Sequence, residues 1–108
     1  MKYYEFELDG ETIKLRLTSS DVIALEKKTG MSIMDYVQDF SLTTVITLLM
    51  YMRRSSVPNF SEKDAGELYD KLVDNDYTLA DIINKIIMEA LVVSGFMSKD
   101  ALKSMSNK

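Results

Sequence analysis

The sequence contains neither cysteine nor histidine among its 108 residues. Without cysteine the chain forms no disulfide and offers no thiolate to a metal ion, which excludes a disulfide-stapled secreted domain. Without histidine it lacks the commonest general base and the commonest metal ligand of proteins. We therefore expect no catalytic, cofactor or metal site, and a function that is not enzymatic.

Acidic side chains are plentiful, but their spacing is typical of solvated surfaces and no nucleophile accompanies them. Asp74, Asp76 and Thr78 alternate like the first ligands of a calcium loop. Leu79 then stands where such a loop needs glycine, and Lys85 stands where it needs a bidentate acid. The pattern therefore predicts a solvated turn at this point and not a calcium site.

Charge and hydropathy argue against nucleic acid and membrane partners. The formal net charge is -4, whereas proteins that bind phosphate backbones usually present a basic face. The N-terminal residues MKYYEFELDG lack the apolar core and cleavage site of a signal peptide. The apolar run at 42–52 would rise about 16 Å as a helix, roughly half the thickness of a bilayer core. We expect it to lie within the protein.

A β-hairpin is predicted at residues 3–17. The segments YYEFEL and ETIKLRL alternate apolar and polar residues around Asp9-Gly10, the dipeptide that best tolerates the positive φ angles of a two-residue type I′ turn. Two strands alone are marginal in water, so we expect their apolar face to lie on helices. The pairs predicted from the turn are Leu8 with Glu11, Phe6 with Ile13, and Tyr4 with Leu15.

Helical periodicity predicts about four to five helices between residues 19 and 96. Thr18 (or Ser19 or Ser20), Ser41, Ser61 and Thr78 are expected to cap helices. The only proline, Pro58, marks a loop. The expected fold class is α+β, mainly α, in which an N-terminal two-stranded antiparallel β-hairpin packs on a helical bundle. Residues 1–97 would form a single globular domain, and residues 98–108 a polar tail or short helix.

Two stretches place apolar side chains outside the expected inner faces. In the run at 42–52, Met50 and Tyr51 flank the polar side of the helix, so a buried core helix and a partner-binding seam both remain open. The stripe predicted to face inward in the last helix is Leu79, Ile82, Ile83, Ile86, Ala90 and Val93. From Met88 onward, apolar residues also fall on or near its polar side. The predicted partner-binding residues are Met50, Tyr51, Met88, Leu91, Val92, Phe96 and Met97.

The order of these motifs resembles a known protein family. The segment KLRLT followed by DVIALEKKTGMSIMDYV is similar to the opening of the small tail assembly chaperones of long-tailed phages and prophages of low-GC Gram-positive bacteria. The segment SLTTVITLLMYM resembles their central helix. The segment DYTLADIINKIIMEALVVSGFM resembles their ending, a capped helix followed by SGF. The resemblance covers residues 3–97 and depends on order and spacing.

The resemblance implies a non-enzymatic protein that binds the tape measure protein, keeps it in solution and helps recruit the tail tube protein. It also implies a location in the bacterial host cytoplasm, absence from the mature virion and, in many such phages, a longer version made by frameshifting. Self-association through an apolar surface is a further expectation. Two alternatives remain: a small helical adaptor or oligomerisation module, and a DNA-binding regulator that uses the Arg53-Arg54 pair.

Overall fold

A computed structural model describes residues 2–100 of the chain. The strands are β1 (Tyr4–Leu8) and β2 (Glu11–Leu15), and the first helices are α1 (Ser19–Thr29), α2 (Ile33–Tyr36), α3 (Leu42–Arg54) and α4 (Glu62–Asp74). The last helix begins as α5 (Leu79–Ile82), widens into a π-helical turn (Ile83–Ile87) and continues as α6 (Met88–Val93). This α+β, mainly α arrangement is the predicted one. Most of the predicted tail, residues 101–108, lies outside the described residues.

The hairpin forms as its turn dipeptide dictates. Asp9 and Gly10 have φ angles of 51° and 80°, as the two central residues of a type I′ turn require. The strands pair in the predicted register, with Leu8 opposite Glu11. The apolar face of the hairpin lies on the helices, as expected, and its buried side chains are Leu8, Ile13, Leu15 and Leu17.

Polar caps begin the helices at the predicted residues. Thr18, Ser61 and Thr78 each form a capping box with an aspartate three residues further on. The side chain of Ser41 accepts a hydrogen bond at the start of α3, as predicted. Ser32 does the same for α2, a cap that was not predicted. These side chains satisfy backbone N–H groups that have no acceptor within the first helical turn.

Helix α3 is the central element of the core. It packs on β2, α4 and the π-helical turn, and the backbone N–H of Arg16 donates to the carbonyl of Met52 over 3.0 Å. Its fully buried side chains are Val45, Leu48, Leu49 and Met52. The apolar run at 42–52 is therefore a core helix, although Leu42 at its start is exposed.

The last helix departs from the predicted register. The N–H of Met88 donates to the carbonyl of Ile83, five residues back, so this turn holds one more residue than an α-helical turn. Every later residue is therefore set back by one helical position, about 100°. The prediction that Val93 faces inward is corrected by this rotation: Val93 is partly exposed, and Leu91 is buried.

Candidate interaction surface

The predicted partner-binding residues divide into a buried group and a partly exposed group. Met88 and Leu91 are each 1% exposed. The prediction that they lie on the outer side of the last helix is therefore wrong, because the π-helical turn rotates both side chains into the core. The partly exposed members are Met50, Tyr51, Val92, Phe96 and Met97. All of these except Val92 also pack against the core cluster.

Large apolar side chains are more exposed in a different part of the molecule. Among the described residues the most exposed are Ile23 at 52% and Met34 at 49%. Both lie between residues 23 and 42, as do Met31 and Leu42, which are also exposed. The sequence around Ile23 has no regular polar stripe that would identify Ile23 as an exposed apolar residue. The closely spaced methionines Met31 and Met34 were the one sequence feature that could have indicated an apolar surface here. Methionine is common on surfaces that accept varied apolar partners.

A cleft of about 240 Å³ opens between the hairpin, the end of α3 and α4. Small-molecule sites are usually larger, about 300–1,000 Å³, so this cleft has the size of one or two side chains of a partner. Its apolar lining residues are Ile13, Val57, Phe60 and Leu68. Its charged lining residues are Glu11, Arg53, Asp64, Glu67 and Lys71.

The basic pair at the end of α3 is held by the protein itself. Arg53 is only 7% exposed; one guanidinium nitrogen lies 3.3 Å from the carboxylate of Glu11, and another donates to the hydroxyl of Ser56 over 3.0 Å. Arg54 is exposed, and its Nε donates to the carbonyl of Phe60 over 2.8 Å. These contacts tie α3 to the hairpin and to the following loop, which weighs against a role in contacting phosphates.

Shifted pKa values occur at helix caps and at one aromatic ring. Hydrogen bonds from the backbone and side chain of Ser61 lower the pKa of Asp64, and those from Thr78 lower the pKa of Asp81. Burial is the largest cause that raises the pKa of the Tyr4 phenol. Within residues 2–100, no group of three acidic side chains is placed to hold a metal ion. The groups with shifted pKa values therefore have structural roles. Asp64 and Asp81 cap helices, and Tyr4 is a packed aromatic ring.

No protein-family model matches the chain, and no curated protein or solved structure matches it significantly. In the part of the chain that the structure describes, no helix combines the length and hydropathy needed to cross a bilayer. Function must accordingly be inferred from the sequence pattern and from the surfaces above. Those surfaces are an apolar, partly hidden end of the last helix and exposed apolar side chains at residues 23–42.

Proposed function

We propose that the chain is a tail assembly chaperone of a long-tailed phage or prophage. It binds the tape measure protein and aids assembly of the tail tube around it, without making or breaking covalent bonds. The observation that supports this is the order of the elements. The motifs that resemble the family fall in the hairpin, α1, α3 and the last helix, in the same order along the chain.

The surface chemistry suits such a role. A tape measure protein is a long, largely helical client with exposed apolar stretches, and an apolar groove or face binds a helix of this kind through side chains spaced one turn apart. The proposed contacts are the partly exposed members of the predicted set, namely Met50, Tyr51, Val92, Phe96 and Met97. The net charge of -4 favours mutual repulsion of the loaded complexes and so opposes their aggregation.

The chaperone acts in the cytoplasm of the bacterial host and is absent from the mature virion. It contacts the tail tube protein as well as the tape measure protein. A longer version made by frameshifting shares this domain and adds a C-terminal extension.

Co-expression with the tape measure gene of the same phage or prophage tests the proposal. The tape measure protein should move from the insoluble to the soluble fraction and should co-purify with this chain. An acidic domain of similar size and unrelated sequence is the control for a general effect of expression. A tape measure protein that stays insoluble in both cultures would rule out the chaperone role. In the genome, a tail tube gene upstream and a very long tape measure gene downstream are expected.

Self-association is a second candidate, favoured by the exposed side chains of Ile23, Met31, Met34 and Leu42. Where exposed apolar groups form one contiguous patch, they are commonly covered by a partner or by another copy. Sedimentation velocity over a range of concentrations measures it. A single species with the mass of the monomer at every concentration would exclude an oligomerisation module.

A further inference from the structure

The register of the hairpin determines which of its backbone groups point away from it. The two-residue turn makes Leu8 and Glu11 a hydrogen-bonded pair, and bonded and non-bonded pairs alternate along an antiparallel ladder. In β1 the N–H and C=O groups of Glu5 and Glu7 therefore point outward, away from β2. Such outward groups remain available to a further strand unless another part of the protein covers them.

Helix α3 covers the outer edge of β2. The backbone N–H of Arg16, the residue after β2, donates to the carbonyl of Met52 over 3.0 Å. The hydroxyl of Ser56 donates to the carbonyl of Lys14 over 3.2 Å. Because these two bonds occupy outward groups, a further strand cannot pair along this side without displacing the end of α3.

The outer edge of β1 is open in the part of the chain that the structure describes. Among residues 2–100, the backbone groups of Glu5 and Glu7 have no hydrogen-bond partner, and both residues are exposed. On the inner side of the same strand, the rings of Tyr4 and Phe6 are only partly buried, with centroids 5.9 Å apart. This open edge therefore combines free backbone groups with an aromatic inner face.

The side chains on the outer face of the open edge are acidic. Neither Glu5 nor Glu7 forms an ion pair with another described residue. If two copies paired antiparallel along this edge, the glutamates of one copy would lie opposite those of the other, and like charges in that position are destabilising. A strand with outward lysine or arginine side chains would form favourable pairs instead. The charge therefore selects against a second copy and in favour of a basic segment.

We propose that the open edge of β1 binds an extended polypeptide segment in which basic side chains alternate with apolar ones, and that this segment becomes a third strand of the sheet. Its backbone pairs with Glu5 and Glu7. Directly opposite residues of an antiparallel pair share one face, so the basic side chains lie beside the two glutamates. The apolar side chains then lie beside Tyr4 and Phe6. This site goes beyond the proposed function and does not depend on it.

Backbone methylation of a short peptide tests the pairing. The probe is a fluorescent peptide of four lysines alternating with three valines, with blocked termini, and anisotropy measures its Kd. The lysines lie opposite the glutamates, so their N–H groups point toward β1 and the valine N–H groups point away. N-methylation of the two inner lysines should weaken binding by at least about tenfold, because hydrogen bonds are lost. N-methylation of two valines should change the Kd less than about twofold.

Equal weakening by the two methylated peptides would show that the probe binds by charge alone, and it would overturn the proposal. Absence of binding by the unmethylated probe would overturn it as well. Both methylated peptides carry the same side chains and the same number of methyl groups, so a difference between them reports only which backbone N–H groups face the protein.

Two matched double variants test the role of the glutamates. Glu5→Gln with Glu7→Gln removes two charges and leaves an oxygen at position 7 that accepts from the hydroxyl of Thr12. Glu67→Gln with Asp70→Asn removes two charges from exposed side chains of α4. The first variant should weaken binding of the unmethylated probe about fivefold, through two lost cross-strand pairs. The second should change it less than about twofold at 0.15 M salt. Equal effects would contradict the assigned edge.

Amide hydrogen exchange shows which edge the probe occupies. The N–H groups of Glu5 and Glu7 should exchange at least about tenfold more slowly when the probe is bound, because each becomes hydrogen-bonded. The N–H of Thr12 points outward on the opposite edge of the hairpin, and its exchange should stay unchanged. Protection of Thr12 without protection of the two glutamates would place the probe on β2 and overturn the proposal.

A peptide with the sequence of β1, YEFEL, tests a second copy of the chain as the occupant. Its glutamates would face those of the protein, so it should compete with the basic probe at least about tenfold less tightly than the probe binds. Competition as tight as the binding of the probe would show that the edge pairs with another copy, and it would overturn the basic segment as the partner.

Discussion

At the scale of single residues, Arg53 is the buried cation that joins the end of α3 to the hairpin. Its guanidinium is bound by Glu11 and Ser56. The side chain of Glu11 remains 59% exposed, so the ion pair is partly screened by water and its own contribution is modest. Most of the stabilisation should come from the hydrogen bond to Ser56 and from the packed stem of the arginine.

Replacement of this arginine should cost more stability than replacement of its neighbour. Arg53→Ala should lower the free energy of unfolding by about 2 kcal/mol, because buried hydrogen bonds of a charged group are lost. Arg54→Ala should cost less than about 1 kcal/mol, because this exposed residue loses one hydrogen bond and a contact with the ring of Tyr51. Urea denaturation measures both values, and equal losses would contradict the role assigned to Arg53.

The capping aspartates should make stability depend on pH in a defined direction. Ser61 lowers the pKa of Asp64 in the folded state, so the folded chain binds this proton less tightly than the unfolded chain does. The stabilisation is therefore complete above the ordinary pKa of aspartate, about 3.9, and is lost as the pH falls through the lower pKa of the folded state.

Asp64→Asn should accordingly destabilise the protein at pH 7, and the difference from the natural chain should shrink as the pH falls below about 4. Asp70→Asn is a matched control, because Asp70 is exposed on the same helix and does not form its capping box. Thermal unfolding at several pH values provides the comparison. A difference that is independent of pH would show that the carboxylate charge of Asp64 is not what stabilises the cap.

At the scale of elements, replacing a glycine by alanine should change stability in opposite directions in the hairpin turn and in α4. Gly10 has a φ of 80°, whereas Gly66 lies inside α4, and a Cβ atom would meet nothing within 4 Å at either position. Gly10→Ala should destabilise by about 1–2 kcal/mol, the cost of a left-handed conformation for alanine. Gly66→Ala should stabilise by up to about 1 kcal/mol, because alanine favours the helix. Changes of the same sign in chemical denaturation would contradict this assignment of the turn.

Local sequence features, namely turn and capping residues, were sufficient to predict most of the strands and helices. The Asp9-Gly10 turn determines the strand register, and the residues three before each capping aspartate determine where helices begin. Of the inner stripe predicted for the last helix after Ile87, Ala90 is buried but Val93 is partly exposed, because the π-helical turn changes the register of the residues that follow it. The bond from Tyr4 to Lys85 joins residues 81 positions apart in the sequence, and helical periodicity contains no information about such a contact.

At the scale of the whole molecule, the sequence predicted only part of the candidate interaction surface, because helical periodicity does not show the register change in the last helix. The sequence correctly marked the end of the last helix as unusually apolar, but the π-helical turn places Met88 and Leu91 inside. Conversely, Ile23 and Met34 are exposed. Each is adjacent in sequence to a buried residue, and helical periodicity did not identify either of them as exposed. Two apolar regions are therefore candidates for the client-binding surface. They are the end of the last helix and the exposed apolar side chains at residues 23–42.

Single charged substitutions should distinguish the two regions. Val92→Asp introduces a carboxylate at the apolar end of the last helix, at a residue that lies outside the core cluster. Burying that charge against an apolar client segment would be unfavourable. Ile23→Asp introduces the same charge at a side chain that is 52% exposed on α1. We expect Val92→Asp to reduce co-purification of the tape measure protein by at least about tenfold, and Ile23→Asp to leave it nearly unchanged.

Both variants should keep the far-UV circular dichroism and the thermal midpoint of the natural chain to within a few degrees, because each substituted side chain already contacts water. That control separates a lost contact from a lost fold. The reverse order of effects, with Ile23→Asp abolishing co-purification, would place the client on the surface at residues 23–42. In that case the chaperone proposal would survive and the assignment of its binding face to the last helix would not.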